Sequence, residues 1–259
     1  MNSPRFDADA LSRVEDAGLN ASAPPQQLWL DGWLVRFCPG KAKRARCINA
    51  VAAGRLPVAE KLVLAAEVYR NASLPLVVRI TPFSQPAGLD DMLDKLGLAR
   101  FDNTAVMVAD LQHASLDDAL PPGTQLSPAG AADYARIVGT LRGSPESQQR
   151  AHAERVAHSP VPYQGWVLRR DDRVLACGQF AREGQLVGLY DVFTDPAARG
   201  HGLARQLCAQ LLRQAQAEGA RQAYLQVDVD NSAARAVYHR LGFVDGYGYH
   251  YRSADPAAA

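Results

Sequence analysis

The 259-residue chain has little cysteine: Cys38, Cys47, Cys177 and Cys208 lie far apart and form no C-x-x-C pair. That scarcity excludes a disulfide framework and a cysteine zinc cluster, and it fits a reducing compartment. No run approaches the roughly 20 apolar residues that a membrane-spanning helix needs. Met1 to Ala10 also lacks the basic start and apolar stretch of a secretory signal. Neither sign of charge is in excess, with 28 Lys and Arg against 27 Asp and Glu, so no long-range field draws the chain to a polyanion. Together these absences predict a soluble, cytoplasmic protein with no metal, no nucleic-acid partner and no membrane partner.

What is present is enough apolar material for a real core, 47% of residues, in a chain long enough for one large domain or two small ones. A polar, alanine-rich start ends in Pro24-Pro25 and reads as a short helix or lead-in. Leu28 to Phe37 (LWLDGWLVRF) reads as strand, with Asp31-Gly32 a turn or bulge within it. After Pro57, Val58, Leu62, Ala65, Ala66 and Tyr69 recur at helical spacing. Strand 76–80, helix 89–96 and strand 103–111 complete this half. Residues 112–128, with Pro121-Pro122-Gly123, read as a linker, so two domains are predicted, 1–120 and 121–259. The second should hold helices 131–142 and 145–157, then strands 165–170, 173–182 and 186–193 as an antiparallel meander. Helix 202–218, strand 222–229, helix 232–240 and strand 243–252 follow. The fold class is α/β (α+β), a mixed, mostly antiparallel sheet flanked by helices, with a second, smaller α/β N-terminal lobe.

The segment Asp195-Pro-Ala-Ala-Arg-Gly-His-Gly-Leu-Ala204 joins a strand to a helix whose apolar positions are Leu203, Leu207 and Leu211. The first turn of a helix leaves about four N–H groups without intrahelical partners, and its dipole favours an anion there. Gly200 and Gly202 would let the backbone approach a pyrophosphate, and Arg199 adds charge. By themselves the two glycines fit a ligand-free tight turn equally well. A dinucleotide fingerprint is disfavoured by the preceding meander and the lack of a third glycine. A P-loop is excluded at Pro39-Gly40-Lys41, because Ala42 stands where Ser or Thr is needed; Lys41, Lys43, Arg44 and Arg46 read as a solvated loop. Downstream, Asn231 can cap a helix ending at Gly242, with Tyr238 two turns inside it on a stripe with Ala234, Val237 and Leu241. Alone, Tyr238 reads as a core aromatic.

Taken in this order and spacing, the two segments resemble the GNAT superfamily of acyl-CoA-dependent N-acetyltransferases, over roughly Trp166 to Tyr251. The family's R/Q-x-x-G-x-G/A loop is matched by Arg199, Gly202 and Ala204. Its N-x-x-A…Y-x-x-x-G-F pattern is matched by Asn231, Ala234, Tyr238, Gly242 and Phe243. The resemblance implies a V-shaped splay between strands 186–193 and 222–229 that admits the pantetheine arm of acetyl-CoA. It further implies main-chain contacts from Val192, Phe193 and Thr194, a pyrophosphate held across Arg199, Gly200, His201, Gly202, Leu203 and Ala204, and further contacts at Asn231 and Tyr238.

The implied activity is transfer of an acetyl group from acetyl-CoA to a primary amine by direct attack in a ternary complex. In that chemistry the ammonium must lose a proton and the departing thiolate gains from a proton donor. Tyr238 occupies the family's donor position, and an N–H near Phe193 could polarise the carbonyl. Asp191 is the preferred base, Asp228 the second, and each reads equally as an exposed or paired strand residue; His201 belongs to the diphosphate loop. The N-terminal half echoes a degenerate GNAT unit without the phosphate loop, and it would close the acceptor side or merely stabilise. Tyr247, Tyr249 and Tyr251, with Trp166 and Tyr190, either pack or form an aromatic wall for an apolar amine. The partner is a small-molecule or peptide amine, and nothing argues against a homodimer. The alternative is a non-catalytic acyl-CoA-binding sensor or scaffold.

Overall fold

The computed structural model describes residues 6–259. The elements in chain order are α1 (Ala8–Ala21), β1 (Gln27–Leu30), β2 (Trp33–Arg36), β3 (Ile48–Asn49), α2 (Val58–Asn71), β4 (Val78–Ile80), α3 (Leu89–Lys95), β5 (Ala99–Asp110) and β6 (Gln125–Ala129). There follow α4 (Ala131–Leu141), α5 (Glu146–Ala157), β7 (Tyr163–Arg170), β8 (Arg173–Glu183), β9 (Leu186–Thr194), α6 (Leu203–Ala217), β10 (Gln222–Asp228), α7 (Ser232–Arg240) and β11 (Val244–Ser253).

The chain forms two compact units, and both are discontinuous in sequence. One comprises residues 1–21 and 106–246, the other residues 22–105 and 247–259. A single cut near residue 120 therefore misplaces the division. The unit limits fall within β5 and β11, and the last seven residues of β11 pair antiparallel with β4 through His250, Tyr251 and Arg252. A strand that finds its hydrogen-bond partners far back in the chain takes its C-terminal segment with it, which a composition change at Pro121-Pro122-Gly123 does not reveal.

In the first unit the strands lie in the order β5–β10–β9–β8–β7–β6. β6 to β9 are antiparallel neighbours, and β9 and β10 run parallel, which makes the sheet mixed and mostly antiparallel as the sequence predicts. Successive side chains on β8 point to opposite faces. Cys177 joins Tyr134, Ile137 and Val138 of α4 in one buried cluster. A methyl group on the next residue, Gly178, would instead lie 3.0 Å from Leu211 of α6. Helices α4 and α6 thus cover opposite faces. β6 lies inside the segment read as linker. Pro128 masks it in the sequence, and β6 tolerates a proline because it is the edge strand of this order and pairs only with β7.

The second unit holds β1, β2, β3, β4 and the end of β11 in that order. Leu28 to Phe37 is a hairpin rather than one strand: Asp31 and Gly32, at φ 43° and 85°, make the two-residue turn between β1 and β2. Trp33, Ile48, Ala65, Tyr69, Leu89 and Leu93 form its core. Lys43 to Ala45 form a short 3-10 turn, and the basic stretch expected to be solvated is partly buried. Lys43 is ion-paired with Asp102, and the carbonyl of Arg44 accepts a bond from Arg36.

Tyr249 and Tyr251 are buried within this unit, Tyr249 under Arg79 and Tyr251 beside Phe101, and Tyr247 packs edge-on against Phe83. In the first unit Tyr190 is buried between Tyr163 and Tyr224. Tyr190, Tyr249 and Tyr251 are thus buried core residues, packed on partners other than the preceding helix.

Candidate functional site

The site is built where β9 leaves β10. Their parallel ladder joins Leu186–Leu189 to Gln222–Leu225. β9 continues to Thr194 and β10 to Asp228, without further pairing to each other among the described residues. On its other edge β9 stays bonded to β8, with Phe193 opposite Cys177 and Thr194 opposite Ala176. The main chain of Val192 to Thr194 therefore has one laddered edge and one free of the parallel neighbour. Burial changes at the same point: Val187 to Tyr190 are buried and Asp191 to Thr194 only partly so.

The splay coincides with a β-bulge. Gln179 of β8 pairs with Tyr190 and Cys177 with Phe193, so Asp191 and Val192 together oppose Gly178 alone. Asp191 takes the extra residue's bend at φ 50°, the left-handed region that a non-glycine residue rarely enters. Four neighbours hold it there. Its carboxylate accepts from Arg142 at 3.0 Å and from Gln179 Nε2 at 2.9 Å, and His152 Nε2 lies 3.2 Å away. Its carbonyl accepts from the Tyr134 hydroxyl at 2.9 Å. Burial alone would raise the Asp191 pKa. The hydrogen bond and charge of His152, with Arg142 and Arg155, outweigh it and hold the carboxyl well below the usual 3.8.

After β9, Asp195 caps a short 3-10 turn over Pro196–Ala198 by accepting from Ala197 N, and it is ion-paired with Arg173. Arg199 follows, its guanidinium 5.5 Å from the Phe193 ring, with Arg142 at 5.4 Å from the same ring. The His201 ring bonds the carbonyl of Arg199 at 2.8 Å, which ties it to the turn. Gly202, at φ 74°, is the N-cap of α6, and no side chain caps that helix. A methyl group on Gly200 or Gly202 would meet no protein atom within 4 Å. Leu203 is buried and anchors the helix start, while Ala204 leaves its first turn unencumbered. The first amides of α6 therefore have no side-chain cap among the described residues, beside glycines with room around them, which is what a phosphate requires.

Tyr238 lies on α7, which packs on α6. Its ring meets Phe243 edge-on at 6.0 Å, and its hydroxyl has no hydrogen-bond partner among the described residues. Burial, with a smaller effect of Cys208, pushes the phenol above its ordinary value, so it stays protonated. Asn231 caps α7 by accepting from Ala234 N at 3.1 Å. Asp228 is occupied in the turn below it, where it accepts from Asp230 N at 2.8 Å. The structure thus joins Val192, Phe193, Thr194 and Arg199 to Ala204 in one strand-turn-helix, gives Asn231 a local task, and surrounds Asp191 with partners absent from the sequence reading. Of these, His152 carried one weak signal. It stands three residues after the half-buried Gln149 and four before Val156, the one buried residue described in an otherwise polar helix.

A mixed sheet that splays between parallel strands, followed by a glycine-bearing turn and an uncapped helix start, is the architecture of an acyl-CoA-dependent transferase domain. Residues 142–243 match the family described as "Acetyltransferase (GNAT) family", and this part of the chain is a GNAT domain. Mycothiol acetyltransferase of Amycolatopsis mediterranei is 51% identical over 61 residues, 23% of this chain and 20% of that protein. The same enzyme of Streptomyces scabiei is 48% identical over 60 residues, again 23% and 20%. The match therefore spans about a fifth of the length of these curated relatives.

Among solved structures, a GCN5-related N-acetyltransferase from Kribbella flavida superposes with a TM-score of 0.69 at 16% identity, covering 95% of both chains. A tandem GNAT protein from the clavulanic acid biosynthesis pathway gives 0.61 at 18% identity, covering 77% of this chain and 70% of its own. These likenesses establish the fold. Among the described residues no helix is long and apolar enough to cross a membrane.

Proposed function

We propose that the chain is an N-acetyltransferase that moves an acetyl group from acetyl-CoA to a primary amine in a ternary complex. The observation that carries this reading is the uncapped N-terminus of α6, with open space at Gly200 and Gly202, directly after the splayed end of β9. The residues present fit acetyl-CoA. Amides from Gly200 to Ala204 would hold the pyrophosphate with Arg199, and the edge of Val192, Phe193 and Thr194 facing away from β8 would bond the pantetheine amides as an added strand.

Acetyl-CoA supplies an activated acyl carbonyl and a thiolate leaving group. Tyr238 keeps a phenolic proton with no protein acceptor to hold it, which suits a donor to that thiolate. A main-chain N–H near Phe193 would polarise the carbonyl oxygen. Asn231 contributes by fixing the start of α7, and hence Tyr238, through its cap. The second unit carries no R/Q-x-x-G-x-G/A pattern between Leu28 and Leu111, so one acetyl-CoA per chain is expected. The curated relatives are named mycothiol acetyltransferases, which favours a small, mycothiol-like acceptor over a protein lysine.

The test is calorimetric titration with acetyl-CoA, beside Gly202→Glu, followed by thiol release with a panel of primary amines. One-site binding lost in the variant, with amine-dependent release in the wild type, supports the reading. Binding without release under any amine would favour an acyl-CoA sensor, and no binding would end both.

A further inference from the structure

We propose that His152 is the proton acceptor for the incoming amine and that Asp191 is the residue that positions it. The inference rests on the acetyl-transfer reading above and names the base that reading leaves open. Asp191 itself, the candidate chosen from sequence, is poorly suited to take a proton. Its carboxylate oxygens are engaged by Arg142, Gln179 and His152. Its charge is stabilised by the same groups, so its proton affinity lies far below that of an aliphatic amine.

His152 meets the geometric requirement. It projects from α5 onto the bulge at Asp191, two residues beyond the last pair of the ladder with β10, where the strand changes from buried to partly exposed. Its Nε2 is 3.2 Å from Asp191 Oδ2. A carboxylate there selects the tautomer with the proton on Nε2 and leaves the Nδ1 lone pair as acceptor. Nδ1 has no hydrogen-bond partner among the described residues, and the side chain keeps 16% of its surface exposed. The ring is held edge-on by Tyr134 at 6.4 Å, whose hydroxyl is itself fastened to the Asp191 carbonyl. An orienting carboxylate, an imidazole and an open second nitrogen form the arrangement of a general base.

The step is a single proton transfer. An N–H bond of the substrate ammonium breaks, its electron pair stays on the amine nitrogen, and the proton forms a bond with His152 Nδ1. The resulting imidazolium faces the Asp191 carboxylate and later releases its proton to water. The strain at Asp191 has a purpose in this scheme, because the bulge turns its side chain toward α5. Other groups at the imidazole are Tyr134 on α4 and Gln179 on β8, whose Nε2 lies 3.4 Å from His152 Nε2 and donates to Asp191 Oδ2, while Arg142 and Arg155 act at the Asp191 carboxylate.

Nitrogen NMR of the histidine rings tests the tautomer without any turnover, the His152 signal being identified among six histidines by its loss in His152→Asn. The expected result is a proton on Nε2 and a free Nδ1 in the wild type, with that preference lost in Asp191→Asn. A wild-type ring protonated on Nδ1 at neutral pH would overturn the proposal whatever the activity.

With the best amine of the panel, His152→Asn should lower kcat/KM for the amine by roughly 10²- to 10⁴-fold. It should also flatten the rise of rate with pH and leave acetyl-CoA affinity within about twofold. Partial recovery with added 4-methylimidazole would support it further. A variant with the wild-type pH profile, or one that loses acetyl-CoA binding together with activity, would overturn it. Failure of the acetyl-transfer reading would instead be seen in the wild type, as no amine-dependent thiol release.

Discussion

The two units use the same unusual ingredients, left-handed residues and half-buried charge, to opposite ends. In the second unit Gly54, at φ 70°, sits where a methyl group would clash with the carbonyl oxygen of Asp31 and with Lys61 Nζ. Lys61 is fully buried, pairs with Asp31 at 3.0 Å, and donates to the carbonyls of Asp31 and Ala53. The charge at the centre of that knot, Lys61, is sealed by protein, although the loop around Gly54 reaches the surface. In the first unit Gly202 has a similar φ of 74°, but among the described residues a methyl group on it would meet nothing within 4 Å beyond its chain neighbours, α6 has no side-chain cap, and Asp191 is strained at the open end of a splayed strand. Strain and charge sealed by packing build a fold, and the same features left open to solvent mark a place for something else.

If that contrast is right, substitutions should separate cleanly into those that remove a ligand and those that remove stability. The largest effect is expected for Gly202→Glu, whose carboxylate would stand against a pyrophosphate. A loss of about 10³ in acetyl-CoA affinity, roughly 4 kcal/mol, should be read by calorimetry, beside a smaller stability cost of about 1 kcal/mol from a non-glycine residue at φ 74°. Next comes Tyr238→Phe. Removing the proton donor should lower kcat about 10²-fold, roughly 2.7 kcal/mol, while acetyl-CoA affinity holds. An unchanged kcat would return Tyr238 to the core-aromatic reading.

Gly54→Ala sharpens the other side of the comparison. It should cost about 2 kcal/mol of stability in urea melts through clash and φ strain, with no change in acetyl-CoA affinity. The smallest effect concerns Asp191 and acid. Because its folded pKa is lowered below 3.8, the stability it contributes is present above that pH and is lost as pH falls below it. Asp191→Asn should therefore be less stable than wild type by about 1.5 kcal/mol at pH 7, and the gap should close below pH 4. A gap that stays constant with pH would mean that packing, and not charge, holds the bulge.

Much of this was legible in the residues. Helical spacing located α2, α6 and α7 to within a residue or two, because amphipathic periodicity is a local property of the chain. Arg199, Gly202 and Ala204 could be read as a phosphate turn because the helix start that they form needs nothing beyond its own backbone. The Asp31-Gly32 hairpin was half legible, since the dipeptide signals a turn but the flanking apolar run argues for one continuous strand. β6 was hidden by Pro128, whose tolerance depends on the strand being at an edge. His152 and Arg142 were not legible as partners of Asp191: they lie 39 and 49 residues away, and only the packing of α4 and α5 on β8 and β9 brings them there.

By itself, then, the sequence determined the order of helices and strands, the phosphate turn and the position of Tyr238, all of which depend on neighbours within a few residues or on one spaced pattern. Tertiary structure alone decided which residues complete the two discontinuous units, that β9 parts from β10 after Leu189, and that an aspartate in a disfavoured conformation faces a histidine. Those outcomes turn on strand register and helix docking, energies summed over contacts between distant segments, and no local stretch of the chain contains them.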